Sequence, residues 1–271
     1  MANSRSELSA IATARMILRH RRILLSVTRV ELAKRYSGSA FGLAWVFLYP
    51  ALLLSIYLFV YLVIFKMRFP GYSEMDYTLF VFCGLIPYMG FMESMTVGAL
   101  SIKQNVHLIR NVMLPIELIP VRAVAVGLVT QSVALVILFG LALTNNSLSV
   151  HLLWLPVVIL LQALFLIGLV LVVSALAVAL PDVSYFVNLG VLFLMFISPI
   201  GFKPDMVPAG FAPLIYLNPV HYMTDAFRSS ILSNHVIDIA NLGIYALICI
   251  FTFALGTAFF RRFKDVLMDH E

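Results

Sequence analysis

Charged residues are scarce in this sequence, at 11% of the 271 residues, whereas apolar residues make up 62%. Soluble domains carry about 25% charged and about 45–50% apolar residues. The shortage of charge therefore excludes an ordinary soluble enzyme and a disordered chain, and it indicates a protein with several membrane spans. Cysteine is also rare. Because Cys83 and Cys249 both lie inside long apolar runs, no disulfide framework is expected.

Motifs of catalysis and metal binding are missing as well. The sequence has no G-x-x-x-x-G-K-[ST] loop, so this chain does not bind ATP through a P-loop. It lacks H-E-x-x-H, C-x-x-C and G-x-S-x-G patterns, and its six histidines are scattered without the spacing of metal ligands. We therefore expect no catalytic residue, no metal site and no cofactor in this chain, which we predict is not an enzyme by itself.

Long apolar runs are abundant. About 20 helical residues cross a hydrocarbon core about 30 Å thick, and six runs approach this length, although the fifth is short. We expect an all-α polytopic membrane protein in which residues 1–271 form a single transmembrane domain. Spans one to five lie within 44–200, and span six occupies 241–260. The six predicted transmembrane helices are Ala44–Phe65, Tyr77–Ser101, Ile116–Leu143, Leu152–Ala179, Ser184–Ile200 and Asn241–Phe260.

Positive charge is unevenly distributed along the chain. The net charge is +5, and 14 of the 18 Lys and Arg residues lie before span one, from the end of span two into the start of span three, or after span six. The positive-inside rule then places both termini, including a tail of residues 261–271, in the cytoplasm. Basic flanks also attract anionic lipid, so membrane lipids and not nucleic acid are the expected partners. The first apolar run starts too late and is too long for a cleavable signal peptide.

Residues 1–43 precede span one and are predicted to form a cytoplasmic interfacial helix. Apolar and basic residues alternate over residues 8–36, which is the pattern of an amphipathic helix lying in the cytoplasmic interface. Such a helix either contacts a partner or serves only as a basic tail that sets the orientation of span one.

The segment 201–240 is too apolar for a solvated loop, and four prolines interrupt it. Asn218 followed by Pro219 predicts the start of a helix that ends near Leu232, and a second short helix is expected over Pro213–Leu217. Neither is long enough to cross a membrane. We predict re-entrant short helices at the outer face between spans five and six, with an amphipathic surface hairpin as the alternative.

Two ionisable residues fall inside the predicted spans. Glu93 in span two and Arg122 in span three lie at similar distances from the cytoplasmic side. Charges within a membrane are costly and pair with one another, so we predict an intramembrane ion pair between them. A static pair or a snorkelling arginine explains them without further function. A proton relay is the other interpretation, although one carboxylate makes no relay chain.

Four aromatic residues of span one, Trp45, Tyr49, Tyr57 and Tyr61, are separated by four or eight residues and share one helix face. If this face lines an aqueous path, the phenol rings suit both the hydroxyls and the ring faces of sugars. If it is buried, the same residues are packing residues, and an interfacial aromatic belt accounts for those at the ends.

The link Ile102–Pro115 between spans two and three carries its own apolar stripe, which includes Val106 and Ile109. A solvated loop would not need such a stripe, whereas docking into a groove of a partner protein would explain it.

These segments together resemble a known family. The resemblance covers nearly the whole chain in the same order, and it is to the permeases of polysaccharide-export ABC transporters, which include O-antigen, capsular polysaccharide and teichoic acid exporters. The matching residues are Glu31–Ser39, Gly42–Trp45, Tyr49-Pro50, Gly84–Tyr88, Asn105, Leu108–Arg110, Leu114-Pro115, Ser198–Ile200, Leu217–Pro219 and Phe227-Arg228.

The resemblance implies a homodimer of six-span subunits in the bacterial inner membrane, each paired with a separate ATP-binding cassette subunit that binds ATP and Mg²⁺. It implies export of a lipid-linked polysaccharide, and it leaves a periplasmic export component open as a further partner. By the same resemblance, Asn105, Val106, Leu108, Ile109 and Arg110 form the ATPase-coupling segment. Pro199, Asn218, Pro219 and Arg228 belong to an outer re-entrant gate.

Two alternatives stay open at the level of sequence. The first is an ABC exporter permease for a drug or small lipid, whose channel should hold fewer aromatic and more aliphatic side chains. The second is a membrane scaffold or the subunit of a membrane enzyme, which would not stimulate ATP hydrolysis by a P-loop partner.

Overall fold

The computed structural model describes residues 2–66, 69–105 and 115–269, and these residues form helices joined by short connections, with no β-strand among them. Short 3₁₀ turns connect several helices, and α3 continues into a π-helix over Phe59–Ile64. In chain order, the described helices are α1 (Ala2–Arg19), α2 (Arg21–Tyr36), α3 (Trp45–Leu58), α4 (Glu74–Ala99), α5 (Ser101–Gln104), α6 (Leu118–Thr144), α7 (Leu155–Ala179), α8 (Val183–Ile197), α9 (Ala212–Tyr216), α10 (Pro219–Ile231) and α11 (Ile239–Asp269).

The predicted fold class, an all-α protein with several spans, is confirmed. Five helical stretches in the described residues are long and apolar enough to cross a membrane: Trp45–Ile64, Glu74–Ala99, Leu118–Thr144, Val150–Ala179 and Ile239–Lys264. The fifth predicted span corresponds to α8, which has only 15 residues and is therefore about 22 Å long. The total of six spans stays a prediction.

Both ends of the chain differ from the sequence prediction in their helix bounds. α11 continues through the basic residues beyond Phe260 as far as Asp269, so the predicted tail is a helical extension of the last span. The predicted amphipathic helix is divided at His20, whose ψ of 15° departs from helical geometry. The two parts, α1 and α2, pack against different neighbours, α11 and α6 respectively.

The centre of the bundle is α4, in which every residue from Tyr77 to Phe91 is buried. It packs against α6 and α7, and also against α8 and α10. Cys83 on this helix and Cys249 on α11 are both buried and free. By contrast, only Pro50 and Leu54 of α3 are buried, so α3 lies at the periphery of this chain.

α7 and α11 cross at two glycines. A Cβ atom on Gly256 would lie 2.2 Å from the carbonyl oxygen of Gly168, and a Cβ atom on Gly168 would lie 2.4 Å from the carbonyl oxygen of Thr252. Small residues let membrane helices approach closely enough for extensive van der Waals contact. The pair therefore fixes the closest backbone approach between these two helices.

The predicted short helices of the segment 201–240, which we call the outer segment after its predicted side of the membrane, are present as α9 and α10. As predicted for a helix start, the Oδ1 atom of Asn218 accepts a hydrogen bond of 3.0 Å from the backbone N–H of Val220, and Pro219 occupies the first turn. Most residues of α10 are buried against α4 and α11. This burial favours the re-entrant interpretation over a surface hairpin.

Candidate functional site

Two ion pairs attach the N-terminal helix α2 to the spanning helices. Glu31 and Arg35 are four residues apart and therefore project from the same face of α2. Arg35 donates through Nη1 to the Oε1 atom of Glu93 in α4. The Nη1 atom of Arg122 in α6 lies 3.5 Å from the Oε2 atom of Glu31. Movement of α2 would therefore be transmitted to both α4 and α6.

The predicted ion pair between Glu93 and Arg122 is wrong. Both residues are buried, at 9% and 7% exposure, but each binds an opposite charge that α2 supplies. The prediction considered only charges inside the spans and therefore left out the N-terminal helix as a source of partners. Because α2 packs along α6, it brings one carboxylate and one guanidinium to the same depth.

The first two aromatic residues of the span-one stripe face a cavity. Trp45 and Tyr49 line a volume of about 400 Å³ between α2, α3, α4 and α6, and Tyr49 is 47% exposed. The other lining residues are polar, charged or sulfur-containing side chains: Arg35, Met89, Met92, Glu93, Thr96 and Thr130. This combination can stack on a sugar ring, accept and donate hydrogen bonds to hydroxyls, and bind an anionic group through the guanidinium.

The other two residues of the stripe are placed differently. Tyr57 and Tyr61 are partly buried against the main core, and their rings stack with centroids 4.9 Å apart. The ring of Tyr61 also covers Gly201, where a Cβ atom would come within 2.4 Å of it. The predicted stripe therefore divides into a cavity-lining half and a half that packs against the outer segment.

A second cavity, of about 280 Å³, lies between α2 and the start of α6. Apolar side chains provide most of its wall, among them Leu24, Val27 and Leu118, and the charged residues Glu31, Lys34 and Arg122 also line it. A space with an apolar wall and a few charged groups is suited to an amphiphile such as a lipid, whose acyl chain and headgroup need these two environments.

The predicted ATPase-coupling segment is described only at its borders. Asn105 follows α5, and its Nδ2 donates 2.7 Å to the backbone carbonyl of Ser101. Val106, Leu108, Ile109 and Arg110 lie outside the described residues, so their predicted role stays a prediction. Beyond the segment, the Nζ atom of Lys264 in α11 lies 3.0 Å from the Oε1 atom of Glu117, which precedes α6. A third ion pair thus holds the chain where this segment rejoins the bundle.

The predicted outer residues lie together around α10. Pro199 is buried in the connection after α8, and the Nδ2 atom of Asn218 donates 2.8 Å to the hydroxyl of Ser198. Arg228, at 4% exposure, donates to the backbone carbonyls of Phe80 and Ile200 at 3.1 and 2.7 Å. Burial lowers the pKa of the Arg228 guanidinium to about 10, so it stays charged at neutral pH. The structure brings these residues together, and their role as a gate stays a prediction.

Sequence reasoning missed two groups of residues. Glu31 and Arg35 were part of the motif but had no assigned partner, although their spacing by four indicates one shared face. Gln131 and Gln162 hydrogen-bond each other within the bundle at 2.8 Å. A search for ionisable residues could not find these amides, but polar amides inside apolar spans are themselves a signal of contact between helices.

Comparison with known proteins adds to this geometry. The chain is 28% identical over 244 residues to the O-antigen export system permease protein RfbA of Klebsiella pneumoniae, covering 89% of this chain and 92% of that protein. It is 25% identical over 222 residues to the protein of the same name from Myxococcus xanthus, covering 81% and 84% respectively. The family profile described as ABC-2 type transporter matches residues 23–232. This match includes α2 from Ile23 onward, the cavity at Trp45 and the outer segment as far as Leu232, and the chain therefore belongs to the ABC-2 type transporter family.

Proposed function

We propose that this chain is the channel-forming permease subunit of an ATP-driven exporter that moves a lipid-linked polysaccharide across the bacterial inner membrane. The observation that carries the proposal is the similarity over 89% of the chain to permeases named for O-antigen export. The cavity at Trp45 and Tyr49 supports it, because indole and phenol rings beside an arginine suit a substrate that joins sugars to a phosphate-bearing lipid.

The energy source in this proposal is a separate subunit. The sequence has no P-loop, so ATP and Mg²⁺ bind an ATP-binding cassette partner, and the segment Ile102–Pro115 docks in a cleft of that partner. Both termini then lie in the cytoplasm, together with α2 and the basic end of α11. ATP-driven motion of the partner would reach α4 and α6 directly, because the segment lies between them in the chain, and would reach α2 through the Arg35–Glu93 and Glu31–Arg122 pairs.

The proposal includes a homodimer. α3 and α8 leave many of their apolar and aromatic side chains exposed, and together they offer a surface on which a second copy can pack and enclose a path. α8 is too short to span the bilayer comfortably on its own, so a covered position between two copies suits it better than full exposure to lipid. A periplasmic export component would receive the product on the outer side.

Deletion of the gene in its source organism tests the proposed function. We expect surface polysaccharide to disappear and its lipid-linked precursor to accumulate on the cytoplasmic side, with recovery on expression of this chain. Unchanged surface polysaccharide, accompanied by altered resistance to a drug, would instead favour the drug exporter. A chain that leaves both unchanged and never stimulates a P-loop partner would be a scaffold.

Coupling to the ATPase is tested separately. A Val106→Asp variant places a charge on the apolar stripe of the docking segment. We expect it to reach the membrane at normal levels, yet to lose export and the substrate-dependent part of ATP hydrolysis in the purified complex. Arg262→Gln, which changes an exposed basic residue of α11 outside the docking segment, is the control and should keep both activities. Normal export by Val106→Asp would exclude docking through this stripe.

A further inference from the structure

A separate cavity of about 430 Å³ lies beside the first turns of α4, whereas the Arg35–Glu93 pair lies toward the other end of that helix. We call it the outer cationic pocket. Its walls come from the start of α4, the turn Pro204–Met206, the inner face of α10 and the connection after α10. The side chains that give it its chemistry are Lys203, Asp205, Asp225, Arg228, Asn234 and His235.

Arg228 is the most buried charge in this pocket. Its Nε and Nη2 atoms donate to two backbone carbonyls, so two of its five N–H donors are used. Within the described part of the chain, Nη1 has no hydrogen-bond partner and no carboxylate lies within ion-pair distance of the guanidinium. Buried charges in proteins are normally paired. Among the described residues, Arg228 therefore has no ion-pair partner at short range, and the Asp225 carboxylate of the same pocket attracts it only from a longer distance.

Aromatic rings hold the cationic groups in place. The guanidinium of Arg228 lies 3.6 Å above the ring of Phe80, and the ring of His235 stacks on the same residue at 5.7 Å. The Nζ atom of Lys203 lies 4.4 Å from the ring centroid of Tyr72, whose hydroxyl is 3.3 Å from the Nε2 atom of His235. With the two rings occupied in this way, the pocket presents charge and hydrogen-bond donors more than open aromatic faces.

The remaining polar groups are acceptors or amides. One oxygen of the Asp225 carboxylate accepts from the Nδ2 atom of Asn241 at 3.2 Å, and in the described residues the other oxygen has no partner. Asp205 is exposed at the rim. His221, at 6% exposure, also lines the pocket, and its Nδ1 atom has no partner among the described residues. A ligand with hydroxyl groups would satisfy these acceptors.

We propose that the outer cationic pocket binds a phosphate ester of a polyol, with Arg228 and Lys203 on the phosphate and the two aspartates on the hydroxyl groups. The arginine fork matches two phosphate oxygens, and lysine adds a point charge. A neutral sugar would leave the buried charge of Arg228 without an ion-pair partner. An unsubstituted phosphate would leave Asp205 and Asp225 close to an anion without a hydroxyl between them, so both halves of the ligand are needed.

Two sources share this chemistry. One is a phosphoglycerol headgroup of an anionic lipid in the outer leaflet, and the other is a soluble or glycan-borne sugar phosphate. The proposal does not depend on the transport function, because the pocket lies within one chain and can be tested with soluble probes in the absence of an ATPase.

The test uses the full chain in phosphatidylcholine nanodiscs and calorimetric titration with glucose 1-phosphate and glucose. We expect glucose 1-phosphate to bind at least tenfold more tightly than glucose. Lys203→Gln should weaken its binding about tenfold, and Lys103→Gln, which changes a lysine far from the pocket, should not. Lys203 is only partly buried, so its replacement should not prevent folding. Arg228→Lys is a second variant, which keeps the positive charge but loses the planar guanidinium. Because Arg228 is buried, this replacement is more prone to disturb folding.

The source is identified by native mass spectrometry after transfer to nanodiscs that contain phosphatidylglycerol. If the lipid headgroup is the natural occupant, the wild-type chain and Lys103→Gln retain more phosphatidylglycerol than Lys203→Gln. If retention is equal but glucose 1-phosphate still binds, a sugar phosphate is the occupant. Equal affinity for glucose and glucose 1-phosphate, unchanged binding by Lys203→Gln, or binding of neither probe together with equal lipid retention would overturn the proposal.

Discussion

Arg122 of α6 and Glu31 of α2 form an ion pair in which only the cation is buried, since their side chains are 9% and 37% exposed. The Arg35–Glu93 pair has the opposite arrangement, with a carboxylate at 10% and a guanidinium at 41% exposure. α2 therefore neutralises one buried cation and one buried anion. Displacement of α2 would leave both charges without their partners, which favours the attached position.

This arrangement predicts unequal effects when one member of the Arg35–Glu93 pair is replaced. Arg35→Gln leaves the buried Glu93 carboxylate without a counter-charge, whereas Glu93→Gln leaves a guanidinium that can reach water. We expect Arg35→Gln to lower the free energy of unfolding by about 1–3 kcal/mol and Glu93→Gln to cost less. Thermal unfolding in detergent, monitored by intrinsic fluorescence, measures the difference.

Arg29→Gln is the matched control, because Arg29 is an exposed arginine on the same helix. Its melting temperature should equal that of the wild type. If Glu93→Gln proved more damaging than Arg35→Gln, the carboxylate would be stabilised by something other than the α2 arginine.

The division of the aromatic stripe predicts that alanine substitutions in its two halves reduce export for different reasons. Tyr49→Ala removes a half-exposed ring from the cavity, so we expect normal yield and thermal stability with export reduced at least fivefold. Tyr61→Ala removes a ring packed against Tyr57 and Gly201, so we expect loss of stability first. Surface glycan and melting temperature are measured for both variants, with Phe251→Ala on the exposed face of α11 as the control. Full export by Tyr49→Ala would remove the cavity from the substrate path.

The sequence was sufficient for features that depend on local pattern. Apolar run length predicted the spanning helices to within a few residues, and Asn218 with Pro219 predicted the start of α10. The continuation of α11 to Asp269 was missed because its end is basic and amphipathic, and hydropathy alone marks the edge of the membrane and not the end of a helix.

Partner choice could not be predicted in the same way. The sequence alone gives only the depth of each residue along its span, and the depths of Glu93 and Arg122 match. Whether they meet depends on which faces of α4 and α6 are turned toward each other and on what α2 inserts between them. The split of the aromatic stripe has the same cause, because Gly201 reaches Tyr61 only after the outer segment has folded back.

The crossing of α7 and α11 predicts a strong effect of one methyl group. In Gly256→Ala, the new Cβ would lie 2.2 Å from the carbonyl oxygen of Gly168, so the helices must separate and lose contacts along their length. We expect a clear drop in melting temperature and in folded yield. Gly243→Ala in the same helix meets nothing within 4 Å and should be neutral or slightly stabilising, as alanine favours helix. Equal stability of the two variants would contradict the close crossing.

His235, in the connection after α10, predicts that the folded protein loses stability at acidic pH. Burial, aided by the positive charges of Arg228 and Lys203 and opposed by Asp225, lowers the pKa of His235 from 6.5 to about 4. The unfolded chain then binds a proton at a higher pH than the folded chain does, so stability is complete above about pH 6.5 and falls as the pH drops toward 4. Melting temperatures between pH 7 and 4.5 should decrease less for His235→Gln than for the wild type. His151→Gln should follow the wild type, and identical pH profiles for all three would exclude His235 as the cause.

The amide pair in the bundle predicts that two substitutions together cost less than the sum of each alone. The Nε2 atom of Gln162 donates to Gln131 at 2.8 Å and to the carbonyl of Pro87 at 3.0 Å, and Gln131 donates back at 2.8 Å.

Gln162→Leu leaves the Gln131 amide buried without its partner, and Gln131→Leu removes the same partner from Gln162. The double variant removes both amides. The Pro87 carbonyl lies inside α4, where the N–H of the fourth residue onward still faces it, so it loses only a second donor, which is less costly than an unpaired amide. Interhelical hydrogen bonds in membranes contribute about 0.6 kcal/mol on average and up to about 1.7 kcal/mol, so we expect a coupling energy in this range from a double-mutant cycle of unfolding in detergent. A coupling energy of zero would mean that the two amides stabilise the bundle independently, through packing and not through each other.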